Sequence, residues 1–167
     1  MATNRVECLW VRIRGNANKA DIMVGVCYRP PNRDEEVDEI FCKQLGEALQ
    51  LLAFVLVGDF NLADFCWKYN TADRKQSRRF LECVEDKFLT QLVREPTREG
   101  TLLDLLFANR EGLVSDVMVG GNLGHSNHEM IRVFNSRGSK EPPPWTSGGQ
   151  TLAFLGAWLT ESVGRQS

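Results

Sequence analysis

The segment VECLWVRIRG alternates apolar and polar positions and is rich in β-formers, which predicts a strand over residues 6–14. A turn through NANKAD leads to DIMVGVCYRP, a second strand closed by Pro30 and Pro31, and the pair predicts a hairpin. In NRDEEVDEIFCKQLGEALQLL the apolar period lengthens. Val37, Ile40, Phe41, Leu45, Ala48, Leu49 and Leu52 share one helical face, and acids crowd the first turn, where the macrodipole favours them. AFVLVG is a short unbroken apolar run, the mark of a central strand covered on both faces. KQSRRFLECVEDKFLTQL returns to helical period, with Phe80, Val84, Phe88 and Leu92 inward. TLLDLLFAN, GLVSDVMVGG and EMIRVF predict three further strands.

This order of elements implies a mixed α/β architecture, with the helices over one face of a sheet. AFVLV has no polar alternation, so the opposite face also needs a cover, and little chain remains to supply one. From residue 135 the character changes. NSRGSKEPPPWTSGGQ has turn and linker composition, and TLAFLGAWLTESVGRQS is apolar without a clear period. The division expected is therefore residues 1–134 as the folded part and residues 135–167 as an irregular tail.

The 167 residues suit one domain, and 43% hydrophobic with 25% charged residues is a globular composition. A net charge of -2 predicts no strong nucleic-acid field over the whole surface, so contact with DNA must rest on local patches. The five cysteines are scattered and show no CxxC, which reads as reduced thiols in an intracellular protein. The N-terminus lacks the pattern of an export signal, and no apolar run is long enough to span a bilayer.

Four polar sites interrupt or end the apolar runs: Tyr28, the Asp59/Asn61 pair, Asp104, and Ser126-Asn127-His128. Taken singly, each has an ordinary reading. Asp59 and Asn61 are turn and cap formers. Tyr28 is a packing aromatic and His128 a surface or packing histidine. Asp104, inside LLDLL, is less ordinary, because a carboxylate in an apolar strand is costly unless it is partnered. Taken together they suit phosphodiester hydrolysis. Asp104 would fix the tautomer of His128, Asp59 would polarise a water, and Asn61 would hold that water or a phosphate oxygen. A divalent metal normally joins such a set.

VLVGDFN, LLDLLFAN and GHSNHEMI resemble the endonuclease/exonuclease/phosphatase superfamily, the DNase I-like fold. VGVCYRPPN, KQSRRFLECVEDKFLTQLV and PTREGTLLDLLFANREGLV resemble, within it, the endonuclease domain of non-LTR (LINE-type) retrotransposons of the chicken-repeat class. The resemblance covers roughly residues 6–131. It implies that Asp59 positions the attacking water and that Asn61 contacts water and phosphate. Asp104 would orient the catalytic His128, which hydrogen-bonds the scissile phosphate, and Tyr28 and Ser126 would lie beside that phosphate. It also implies Mg²⁺ as cofactor, DNA as substrate, no small-molecule substrate, and a nuclear place of action. The parent polyprotein would carry an RNA-directed DNA polymerase primed by the nick.

The chain departs from the family in two places. Asn127 stands where the family has Asp, which keeps a hydrogen bond but loses a charge that Mg²⁺ favours. The family fold is a two-sheet sandwich of two similar halves, and this chain resembles the second half; no counterpart is found of the strand carrying the Glu that is the principal metal ligand. The expectation is a partial two-layer α/β sandwich descended from a nuclease and inactive as this chain. The alternative is a non-catalytic relic, or a fragment that binds a partner through its uncovered sheet. With suitable codons, a shifted frame of the tail spells a peptide similar to the family's continuation, so residues 135–167 read as out-of-frame translation, which sequencing of the coding DNA tests.

Overall fold

The computed structural model describes residues 6–14, 20–31, 34–49, 53–66, 68–69, 71–97, 100–114, 116–122, 129–134 and 151–154. The elements in chain order are β1 (Glu7–Ile13), β2 (Ile22–Tyr28), α1 (Glu35–Ala48), β3 (Ala53–Asp59), β4 (Phe65–Cys66) and β5 (Thr71–Ala72). They continue with α2 (Lys75–Asp86), β6 (Thr90–Gln91), β7 (Asp104–Ala108), β8 (Asp116–Asn122), β9 (Glu129–Phe134) and β10 (Thr151–Phe154).

Five strands form one sheet in the order β1-β2-β3-β7-β6, and β10-β9-β8 form a second. β1 and β2 are the expected antiparallel hairpin. Trp10 lies opposite Gly25 there, and a Cβ on Gly25 would overlap the indole ring, so the glycine makes room for it. β2 runs parallel to β3 through the α1 crossover, and β7 runs antiparallel to β3 on its other side. Alternation along β3 then sends Phe54 and Leu56 to one face and Val55 and Val57 to the other.

The helices cover the first face. Phe41 and Leu45 of α1 and Phe80 and Val84 of α2 pack with Phe54, Leu56, Leu105 and Phe107 of the sheet. Phe80 is central, with ring centroids 5.2 Å from Phe60, 6.0 Å from Phe65 and 6.1 Å from Phe41. The second face is covered as well. Ile131 of β9, with Val117 and Val119 of β8, packs on Val24, Val55, Val57 and Leu106. Every residue of β3 is therefore buried. This corrects the expectation of a bare sheet face available to a partner. β8 and β9, expected only as strands, pair with each other and fold across the first sheet, which the strand patterns alone do not reveal.

Three further readings change. The helical pattern was expected to hold Phe88 and Leu92 inward, but α2 ends at Asp86. Phe88 has a φ of 56° and is 85% exposed, and Leu92 belongs to the opposite face of the sheet. Cys42 of α1 and Cys83 of α2 form a disulfide, so these two are not reduced thiols. Helix packing brings them together across 41 positions of sequence, a pairing that motif spacing does not show. Finally, Thr151–Phe154 of the tail pairs antiparallel with β9, so these four residues are a strand rather than irregular chain. The rest of the tail lies outside the described residues. No helix among the described residues is long and apolar enough to cross a membrane.

Candidate active site

The candidate residues are placed by sheet register. Tyr28 ends β2 and pairs with Asp59, which ends β3, and Asp59 pairs in turn with Asp104 at the start of β7. Register partners share a face, so a phenol and two carboxylates stand in one row across three adjacent strands. By alternation this is the face of Val55 and Val57, the one the second sheet covers. Asp59 and Asp104 are both only 2% exposed.

The local sequence GDFN explains the row's geometry one residue at a time. Gly58 lies against Cys27 across the parallel pair, and a Cβ there would overlap the Cys27 carbonyl oxygen. Only glycine admits that approach without a backbone shift. Phe60 points to the helix side and is fully buried among Phe41, Phe80 and Phe107. Its N–H donates to the Leu103 carbonyl at 3.0 Å. Asn61 then takes a φ of 50°, a left-handed conformation that asparagine tolerates better than most residues. Its N–H donates to Asp59 Oδ1 at 3.1 Å, an Asx-type bond that closes the elbow.

Two residues that the sequence reading passed over hold this elbow. Arg29 N–H donates to the Asp59 carbonyl at 2.8 Å, and Asn61 Nδ2 donates to the Arg29 carbonyl at 2.8 Å. The Arg29 guanidinium is buried and forked onto Asp38 of α1, with Nε–Oδ1 at 2.7 Å and Nη2–Oδ2 at 2.9 Å. Its Nη1 reaches the Phe60 carbonyl at 3.4 Å. A charged residue at the end of the apolar run IMVGVCY was a usable signal. Asp38 was masked by the plainer reading of an acid in a helix's first turn. Thr97, also passed over, is fully buried and accepts from the N–H groups of Leu103 and Asp104 at 3.2 and 3.0 Å, which fixes the start of β7.

Asp64, just beyond the elbow, organises the start of α2. Its Oδ2 accepts from Arg74 N–H at 2.9 Å and its Oδ1 from Ser77 Oγ at 2.6 Å. Burial opposes its ionisation, but the Ser77 and Arg74 bonds outweigh that and hold its carboxyl below the usual range. Ser126, Asn127 and His128 lie outside the described residues, so their approach to Asp104 is not part of this geometry.

As to a metal, Asp59 and Asp104 are hard oxygen donors of the class Mg²⁺ takes. Among the described residues, however, no group of three or more His, Cys, Asp or Glu side chains is placed to hold an ion. Two carboxylates do not by themselves fix a metal in one geometry.

Residues 22–132 match the family model described as endonuclease-reverse transcriptase. Among solved structures, the endonuclease domain of TRAS1, a telomere-specific non-LTR retrotransposon, is similar in fold, with a TM-score of 0.59 and 19% identity. The likeness covers 77% of this chain and 60% of that one, so the chain spans about 60% of that domain's length. A comparison with curated proteins finds no match. With a family match across most of the described sheet, and Tyr28, Asp59 and Asp104 aligned at its strand ends, the chain belongs to the endonuclease–reverse transcriptase family and has a DNase I-like fold.

Proposed function

We propose that this chain carries the water- and phosphate-positioning part of a retrotransposon DNA endonuclease site, and that residues 1–167 alone do not cut DNA. The observation that supports this is the row Tyr28–Asp59–Asp104 across three adjacent strands, closed by the Asn61 elbow. In this reading Asp59 accepts a hydrogen bond from the attacking water and takes its proton. Asn61, held in place by its bond to the Arg29 carbonyl, donates to water or to a phosphate oxygen. Tyr28 and Ser126 bind the phosphate. Asp104 orients His128, whose imidazole donates to the scissile phosphate as charge develops on its oxygens.

A divalent ion would supply counter-charge to those oxygens, often the largest contribution to such catalysis. The chain offers Asp59, with Asp104 engaged by His128 and Asn127 adding no charge, so a further carboxylate is required. In the complete enzyme the nick would leave a 3′-hydroxyl that primes reverse transcription by a polymerase activity, on chromosomal DNA in the nucleus.

The test uses supercoiled plasmid and a labelled duplex. Purified residues 1–167 with Mg²⁺ should leave the plasmid intact, and should bind the duplex with an affinity that falls steeply with salt and on His128→Ala. Robust nicking by the chain alone, abolished by Asp59→Ala, would overturn the incomplete-site reading. Absence of duplex binding at low salt would overturn the nuclease reading of the row itself.

A further inference from the structure

Arg29 bonds to each of the three residues of the elbow in turn. Its N–H donates to the Asp59 carbonyl at 2.8 Å, its Nη1 reaches the Phe60 carbonyl at 3.4 Å, and its own carbonyl accepts from Asn61 Nδ2 at 2.8 Å. Nη1 also lies 3.5 Å from the Pro30 carbonyl, so one end of the fork stays among backbone oxygens on both sides of the strand end. The other end is held by Asp38 through two short bonds, and Gln76 Nε2 of α2 donates to Asp38 Oδ2 at 2.7 Å. Arg29 is 1% exposed and Asp38 5%. A guanidinium is a planar fork, so fixing Nε and Nη2 on one carboxylate fixes where Nη1 points.

A plain structural role is a weak account of this arrangement. Buried ion pairs generally cost as much in desolvation as they return, and apolar pairs of similar volume often replace them without loss of stability. The arrangement does account for something else. Asn61 must sit at a φ of 50°, and it is bonded on one side to Asp59 and on the other to Arg29. A left-handed non-glycine residue persists only where its surroundings over-determine it.

We propose that Arg29 and Asp38 are a positioning pair for the elbow. They reach no ligand themselves; the guanidinium, fixed by Asp38, holds the elbow at the Phe60 carbonyl and thereby keeps the Arg29 main chain, which bonds Asp59 and Asn61, in register, so that the pair sets the orientation of Asp59 and Asn61 toward water and phosphate and ties it to both helices. The proposal deepens the functional reading above and rests on it for the identity of the site.

The experiment is made on the full chain and reads hydrogen exchange by NMR together with duplex binding. The charge-free double variant Arg29→Met/Asp38→Leu should keep a thermal midpoint within a few degrees of the parent. In it the Asn61 backbone amide should exchange at least tenfold faster, while the Asp104 amide, held by Thr97, stays unchanged. Duplex affinity should fall by a similar factor. Arg29→Lys keeps the buried charge but not the fork and should give a smaller change in the same direction. A double variant with parental Asn61 exchange overturns the proposal. Should the double variant not fold, Arg29→Lys decides. Faster exchange at Asn61 than at Asp104 supports positioning, whereas equal acceleration, or global unfolding of both variants, assigns the pair a purely structural role and overturns it. Loss of the functional reading looks different: the parent itself fails to bind duplex, and the exchange comparison still decides whether the pair holds the elbow.

Discussion

Gly58 shows how one missing methyl group builds a strand end. β2 and β3 approach so closely at Cys27 that a Cβ at position 58 would meet that residue's carbonyl oxygen, and its carbonyl carbon at 2.7 Å. A clash with backbone is not relieved by rotating a side chain. Gly58→Ala should therefore cost about 1–3 kcal/mol, the usual range for overpacking, and separate Tyr28 from Asp59. A urea titration checks the first part, and a urea midpoint equal to that of the parent would show that the strands part freely. Asp64 gives a prediction in pH. Its folded carboxyl is held below its ordinary value, so its contribution to stability is present above the unfolded value and is lost as pH falls through the folded one. Asp64→Asn should lower the urea midpoint at pH 7, by a deficit that shrinks as pH falls below the ordinary carboxylate range. A deficit that persists undiminished in acid would trace the effect to lost packing instead of ionisation.

At the scale of elements, the two helices act as one layer. Phe80 of α2 stacks on Phe41 of α1 with ring planes 7° apart, and Lys75 and Arg79 of α2 form ion pairs with Glu35 of α1. The ion pairs are exposed and contribute little. The Cys42–Cys83 disulfide contributes more, because it removes loop entropy from the unfolded chain. For a separation of 41 residues the chain-entropy estimate is about 4 kcal/mol. Reduction should thus lower the thermal midpoint clearly, and Cys42→Ser should reproduce that shift and be insensitive to reductant. A parent whose midpoint ignores reductant would mean that the bridge adds nothing to stability. Cys8 and Cys27 face each other across β1 and β2 at 2.7 Å, and the burial of Cys27, then its neighbour thiol, pushes the Cys27 thiol pKa up, so Cys27 resists ionising.

The molecule as a whole is held by the placement of its second sheet. β3 is apolar on both faces, and the helices can bury only one of them. Ile131, 2% exposed, is the point at which β9 closes the other face over Val55 and Val57. Ile131→Ala should destabilise the fold by about 2–5 kcal/mol, measured by denaturant unfolding. A change below about 0.5 kcal/mol, the size expected of a surface substitution, would show that the second sheet does not seal the core. The same closure bears on function. With its sheet covered, the chain holds the row Tyr28–Asp59–Asp104 at the strand ends and offers no open apolar face on β3.

The sequence by itself determined the order of the longer strands and helices, the central position of AFVLV, and the identity of Tyr28, Asp59, Asn61 and Asp104 as candidates, but not the short strands β4, β5, β6 and β10. Each of these rests on local information: period, turn chemistry, and a polar residue where an apolar run ends. The Gly-Asp-x-Asn motif was legible because its glycine, acid and amide are all demanded within four residues. What lay beyond reach depends on partners distant in the chain. The end of α2 at Asp86 left Phe88 in solvent because the backbone turns there, and helical period carries no such signal. The disulfide, the cover over β3, and the fork from Arg29 to Asp38 each join segments that only the assembled fold brings together. A buried charge is tolerated where a partner of fitting geometry is already in place, and whether that partner exists is decided by tertiary packing, not by the residues on either side.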